Sequence, residues 1–441
     1  MADEYLTEDM NRSNRDRLEQ ALARIADPAG EGKRACLTVY ADAARASADS
    51  ADERAKAGRP LGPLDGAIVS IKDLYDVTGE VTRAGSRVLA GEGLVAAADA
   101  PVVKRLRSAG AVIVAKTNMS EFAFSGVGAN PHFGTPGNPF DRARVPGGST
   151  SGGAVAVADG MCDIAIGTDT GGSTRIPAAL CGIVGWKPSK QRVPTDGAFP
   201  LSFTLDSIGP MARSVAECAL ADAVMAGEIA PTPEPVSLAG LRLGIWQGMP
   251  FEGIDETVAA AWSATIGRLG WAGVSFSDEK ISLIDDMIQV NSKGGFSPAE
   301  SYALHRERLV RNGAGVDPNI RARIERGATI MAADYIDMAQ ARRRLVQAMD
   351  ARLSSLDALV LPTTPIVAPL LSEVATSEDF GRKNAMLLRN TAPINFFDLC
   401  AISLPLPRQG ELSTGLMVVG RNASDARLFR IAAAVEKCLK H

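Results

Sequence analysis

Apolar positions in this chain follow two alternating rhythms: single residues at helical intervals, and compact runs flanked by turn formers. Leu18, Leu22 and Ile25, at i, i+4 and i+7 with charges between them, predict a helix, and the alanine-rich stretch from Tyr40 continues the helical reading. Residues 1–60 are therefore expected to be helices packing on the core from outside. GRPLGPLDG (58–66) reads as a connector, and AIVSIK (67–72) as a buried strand that ends in Lys72. Asp99 is placed to cap a helix with Pro101 in its first turn and Gly110 closing it, after which AVIVA (111–115) predicts a second buried strand. Residues 117–152, rich in Gly, Pro, Asn and Ser, form too long a connector to be idle. A small apolar stretch (153–160) leads to the strand DIAIGTD (163–169).

The alternation continues with a helix near 212–226, the loop PTPEPVS (231–237), a strand LRLGIW (241–246) and a helix near 255–268. A long helix near 332–353 precedes the strands ALVLP (358–362), AISLPL (401–406) and GLMVVG (415–420), and a last helix starts at about Ser424. Helices alternating with buried strands predict an α/β fold, a single domain with a central mixed β-sheet covered by helices on both faces. The main body is expected over 61–441, with 60–215 the part that carries chemistry and 227–356 open to separate packing as a helical insertion.

Composition changes this picture little and narrows the function. Apolar content of 46 % with 22 % charged residues suits a globular enzyme, and a net charge of −4 offers no basic field for nucleic acid or an anionic membrane. No run approaches the ~20 apolar residues of a membrane span. The charged start, MADEYLTEDMNRSNRDRLEQ, does not read as a secretory signal. Cys36, Cys162, Cys181, Cys218, Cys400 and Cys438 lack C-x-x-C spacing, so neither a zinc site nor a disulfide framework is expected, and a reducing cytoplasm is.

The segment TDTGGSTRIP (168–177) sets Ser173 behind two glycines. A histidine base is poorly supplied: His132 falls in a loop, His305 in a charged helix, and His441 is the last residue, so structural or surface roles are expected. The G-x-S-x-G elbow is absent, as are the P-loop and H-E-x-x-H patterns. S-x-x-K occurs at Ser277–Lys280, read as a surface loop, and GEGLVA (91–96) is a weak dinucleotide-like match, so no cofactor and no metal are implied. Lysine remains as the base. VPGGSTSGGAVAVADG (145–160) contributes Ser149, GTDTGGSTRIPAALCGIVGWKPS (167–189) contributes Ser173, and Lys72 lies upstream. Asp169 and Arg175 read as an ion pair holding the TGGS turn, and Ser151 as a loop residue.

These segments, with KTNMSEF (116–122), NPHFGTPGNP (130–139) and LDSIGPMARS (205–214), resemble the amidase signature family. The resemblance implies Ser173 as nucleophile, Ser149 as bridging serine after a cis Gly148–Ser149 peptide, and Lys72 as a base held neutral by burial. The backbone N–H groups of Thr170, Gly171, Gly172 and Ser173 read as an oxyanion cradle, because glycine keeps side chains out of the turn. Phe122 and Phe124 read as core or pocket wall, and the resemblance puts Ala123 and Phe124 on the acyl side, with Ile176 also expected at the substrate. It implies a self-sufficient amidase acting on a small-molecule amide, without cofactor, and family habit points to a homodimer. The alternative is the glutaminase component of a tRNA-dependent amidotransferase. Ile176, where that component carries glutamine, and QRVPTDG (191–197) argue against it and for an apolar pocket.

Overall fold

A computed structural model describes residues 12–229, 233–406 and 410–440. The charged start before residue 12, Pro231 and Thr232 of the proline-rich loop, and His441 lie outside the described residues.

Eleven strands form one mixed sheet. They are β1 (Cys36–Val39), β2 (Ile68–Lys72), β3 (Val112–Thr117), β4 (Ile164–Asp169), β5 (Val184–Lys187), β6 (Ser207–Ala212), β7 (Arg242–Trp246), β8 (Ser275–Glu279), β9 (Ala358–Pro362), β10 (Cys400–Pro405) and β11 (Gly415–Gly420). Their order is β1-β3-β2-β4-β6-β5-β10-β11-β9-β7-β8. β2 runs parallel to β3 and β4, β9, β7 and β8 are parallel to one another, and the central pairs are antiparallel.

The near-continuous apolar runs have a direct cause: most strands are buried on both faces. Val69, Ile71, Ile113, Ile164 and Ile166 pack into one cluster, while Ile68, Val112, Val114 and Ala165 pack into another. Alternate side chains of β2, β3 and β4 thus feed separate cores, as the pleat requires. The same division recurs further along, where Val360, Ile402 and Val418 join the first cluster and Leu359, Leu361, Ala401 and Met417 a third.

Four expectations need correction. Residues 12–60 supply the strand β1 as well as helices, and Leu18, Leu22 and Ile25 of the helix Asn14–Ala26 are buried in the second core. Asp99 caps no helix: its carboxylate accepts from the N–H and hydroxyl of Thr78, and the helix Pro101–Ser108 starts behind Ala100. Ser277 lies on β8, an edge strand, not in a loop, and its hydroxyl donates to Glu279. The stretch 227–356, read as open to separate packing, sends β7 and β8 into the common sheet.

The helix Ser151–Ala158 begins inside the segment read as a long connector. Its sequence, SGGAVAVA, is poor helix material, but a Cβ on Gly152 would lie 2.4 Å from the carbonyl oxygen of Ala35. Small residues therefore permit a contact that outweighs propensity.

Candidate active site

β2 and β4 are neighbours, with Ile71 opposite Ile166, and both end at the same rim of the sheet. Lys72 terminates β2 with no solvent exposure. Its Nζ donates to Ser149 Oγ at 2.8 Å and to Thr168 Oγ1 at 2.9 Å. Burial depresses the amine to about 7, against the opposing pull of Asp206 and Asp169. Among the described residues no carboxylate touches Nζ, and two hydroxyls are its hydrogen-bond partners.

Ser149 is fully buried and follows a cis Gly148–Ser149 peptide. The turn that carries it cannot tolerate side chains: a Cβ on Gly148 would stand 2.6 Å from Gly128 N. The Ser149 carbonyl accepts from Ser120 N at 3.0 Å, and Thr150 N reaches the carbonyl of Ser173 at 3.3 Å, tying the two serine segments together.

Ser173 sits between β4 and the helix Arg175–Cys181. Asp169, the last residue of β4, organises this turn. Its carboxylate accepts from Gly172 N (2.8 Å), Thr174 N (3.2 Å), Thr174 Oγ1 (3.0 Å) and Asn395 Nδ2 (3.0 Å), and both oxygens pair with Arg175 (2.9 and 3.0 Å). Burial alone would raise this carboxyl; Arg175 and the surrounding donors hold it well below the usual range instead. The expected ion pair is present and fully buried. Gly172 has φ of +136°, and a Cβ there would fall 2.2 Å from Thr391 Oγ1. Thr391 Oγ1 in turn donates to Gly171 O at 2.5 Å.

Thr170 Oγ1 donates to Asp206 Oδ1 at 2.5 Å, while Leu201 N and Ser202 N reach its other oxygen at 3.0 and 3.1 Å. Burial raises Asp206 to about 6, with the Thr170 hydroxyl opposing. The sequence does not single out Thr168, Asp206, Thr391 or Asn395; Thr168 at the head of TDTGGS and Asp206 within LDSIGPMARS carry a local signal, and the other two carry none.

A cavity of about 320 Å³ opens over Ser173, with Thr170 and Gly171 beside it. Phe124, Leu201, Met287, Phe296, Leu388 and Phe396 supply its apolar wall, and Ala123 also lines it. Phe122 does not; it is core, with the His305 ring 4.2 Å from its own. Two site expectations change. Ile176 is fully buried and absent from the lining, because the helix Arg175–Cys181 turns it under the TGGS turn, toward Val127 and Leu180. It therefore does not set the pocket's polarity. The Gly172 N–H is committed to Asp169, so it shapes the turn instead of facing the cavity.

Neither described histidine approaches the serines. His132 Nε2 stands 3.0 Å from the buried Glu121, and His305 is buried beside Arg308, where burial and that cation lower it to about 3. Among the described residues no cluster of His, Cys, Asp and Glu could hold a metal ion, no helix is long and apolar enough to cross a membrane, and the six cysteines are free.

Comparison with known proteins agrees over nearly the whole chain. The family model described as Amidase matches residues 16–429. The chain is 35 % identical to 2-amino-5-chloromuconic acid deaminase of Comamonas testosteroni, covering 89 % of this chain and 86 % of the relative. It is also 35 % identical to the A component of the glutamyl-tRNA(Gln) amidotransferase of Symbiobacterium thermophilum, covering 96 % and 93 %. A solved amidase superimposes with a TM-score of 0.86 at 31 % identity, covering 99 % of this chain and 98 % of the other. The chain belongs to the amidase family and is an amide-hydrolysing enzyme.

Proposed function

We propose that the chain is a self-sufficient amidase that converts a small amide to a carboxylate and ammonia or amine through an acyl-enzyme on Ser173. The observation that carries this reading is the buried Lys72–Ser149 contact at 2.8 Å beneath a cavity lined by Ser173. Ser173 gives its proton to Ser149 Oγ as Ser149 passes its own to Lys72 Nζ, and Ser173 Oγ bonds to the amide carbon. The new oxyanion is received by N–H groups of the Thr170–Ser173 turn, with Gly171 and Ser173 as the donors and Gly172 as the residue that permits the curve. The tetrahedral intermediate collapses as Ser149 returns a proton to the leaving nitrogen, with Lys72 resupplying Ser149, and the C–N bond breaks. Water then adds to the acyl-enzyme by the same relay and the ester bond to Ser173 breaks.

The amidotransferase reading rests on the 35 % identity to such an enzyme's A component. The objection to it from Ile176 falls, since that residue does not meet the cavity, and the objection from 191–197 stands. Against it stands a cavity lined, among the described residues, by no carboxylate that could hold an amino acid's ammonium. The free thiols favour a reducing cytoplasm, and a homodimer is kept as the expected assembly. A fluorophosphonate should leave one adduct, on the Ser173 peptide, and abolish turnover; labelling of Ser149 or Ser277 instead would sink the assignment.

A further inference from the structure

One arginine in the wall of this cavity, Arg323, has an enclosed donor without a partner among the described residues, and the exposed Arg326 stands on the same wall. Arg323 lies on the helix Pro318–Glu325, whose Ile320 and Ile324 are buried and whose start is fixed by Asp317, accepting from Asn319 N at 2.8 Å. Asp317 N in turn donates to the buried Glu121 at 2.7 Å, which anchors the helix to the segment carrying Ala123 and Phe124. The Arg323 guanidinium is thereby set over the Phe124 ring, 4.5 Å from its centroid, and lines the same cavity as Ser173.

Its Nε is enclosed and makes no hydrogen bond, and among the described residues neither Arg323 nor Arg326, which also lines the cavity, pairs with a carboxylate. Neither acid on or anchoring this helix pairs with it: Glu325 holds Arg321 at 2.7 Å, and Glu121 receives Asp317 N on one oxygen. Burial and the like charge of Arg326 lower Arg323 to about 10, so the protein supplies this cation with a neighbour that repels it. A buried donor without an acceptor calls for an explanation, and a guanidinium fork matches a carboxylate. The apolar wall alone would suit a neutral amide; the pair of cations alters that.

We propose that Arg323, with Arg326 beside it, receives a carboxylate of the substrate, so that the enzyme selects anionic amides, the monoamides of small dicarboxylic acids. This rests on the seryl-hydrolase reading of the same cavity. For a primary amide the leaving group is ammonia, so the anion belongs to the acyl part. Zwitterionic amides such as glutamine should be poor substrates, because no lining carboxylate, among the described residues, offsets an ammonium.

The test compares kcat/KM for succinamate and glutaramate with that for butanamide and pentanamide, of equal carbon number. Wild type should prefer the charged member by about 10- to 100-fold, the usual scale of a hydrogen-bonded charge. Arg323→Gln should reduce that ratio at least about tenfold, chiefly through KM, and Arg323→Lys should keep part of it. A variant that merely loosens the fold lowers both rates and leaves the ratio alone. Calorimetric binding of glutarate to the Ser173→Ala protein supplies a second reading, to be lost when Arg323→Gln is added. A ratio near one in wild type, or one unmoved by Arg323→Gln, would overturn the inference. Glutarate binding through Arg323 with no amide hydrolysed would overturn the hydrolase reading alone; neutral amides hydrolysed with a Ser173 label and glutarate unbound would overturn this inference alone.

Discussion

Lys72 is useful only because it is expensive to charge. Its amine sits near 7 through burial, so a fraction is already neutral at neutral pH. We expect kcat/KM to rise with pH about a midpoint near 7 and then level, and Lys72→Ala to lose on the order of a thousandfold, each tenfold being ~1.4 kcal/mol. A profile unchanged by His132 and His305 substitutions completes this expectation; one governed by either histidine would contradict it. The same shift has a stability consequence. The folded pKa lies below the unfolded one, so the unfolded chain binds more protons between about 7 and lysine's ordinary value, and stability contributed by this site rises with pH across that window. Lys72→Met, which removes the titration, should gain on wild type in urea midpoint at pH 7 and lose that gain toward pH 10. At this scale Lys72, Ser149 and Ser173 stand out in sequence as a strand-end lysine and two glycine-flanked serines, and the family resemblance, not their spacing, supplies their proposed roles. Arg323 does not stand out: PNIRARIE looks like a solvated helix face, and only the buried Ile320 and Ile324 on either side reveal how close to the interior it runs.

The strand-turn-helix unit from β4 to Cys181 shows how an element constrains chemistry. Its curvature depends on Gly172 and on Asp169 gathering the turn's donors. Gly172→Ala places a Cβ 2.2 Å from Thr391 Oγ1 at a φ of +136°, whereas Gly171→Ala meets Leu388 only at 3.4 Å. We expect Gly172→Ala to reduce kcat strongly and to lower thermal stability, with backbone strain alone on the order of 1–3 kcal/mol, and Gly171→Ala to fold like wild type. Equal thermal midpoints for the two variants would refute this account of the turn. Asp169→Ala should be more severe still, because it strands the buried Arg175 guanidinium, at about 3–5 kcal/mol in chemical denaturation. β6 shows why element reading from sequence stopped short: SIGPMA contains Gly209 and Pro210, which ordinarily argue against a central strand. The structure accommodates them because β5 pairs with β6 only at Met211 and Ala212, leaving Pro210 a ladder partner on the β4 side alone. The helix Ser151–Ala158 was hidden for a related reason, its glycines being set by contact distance, which sequence spacing does not display.

At the scale of the whole molecule, alternating apolar runs were enough to predict a mixed sheet covered on both faces, and one sheet of eleven strands is what forms. The strand order was not readable, since crossovers such as β5 to β10 join segments more than two hundred residues apart. That long-range closure matters for function, because the cavity over Ser173 is walled by Phe124, Met287, Arg323 and Leu388, contributed by widely separated parts of the chain. On the proposed reading this one chain carries the nucleophile, the base and the cavity wall. The purified protein should therefore hydrolyse small amides with no ATP, tRNA or partner present, and at a rate indifferent to chelator. Ammonia release from glutamine, butanamide and succinamate, measured side by side with and without chelator, tests this directly. Turnover of succinamate by the isolated chain is the expected result. Activity restricted to glutamine, and appearing only when charged tRNA and a partner protein are supplied, would transfer the protein to the amidotransferase class, whose A component it also resembles.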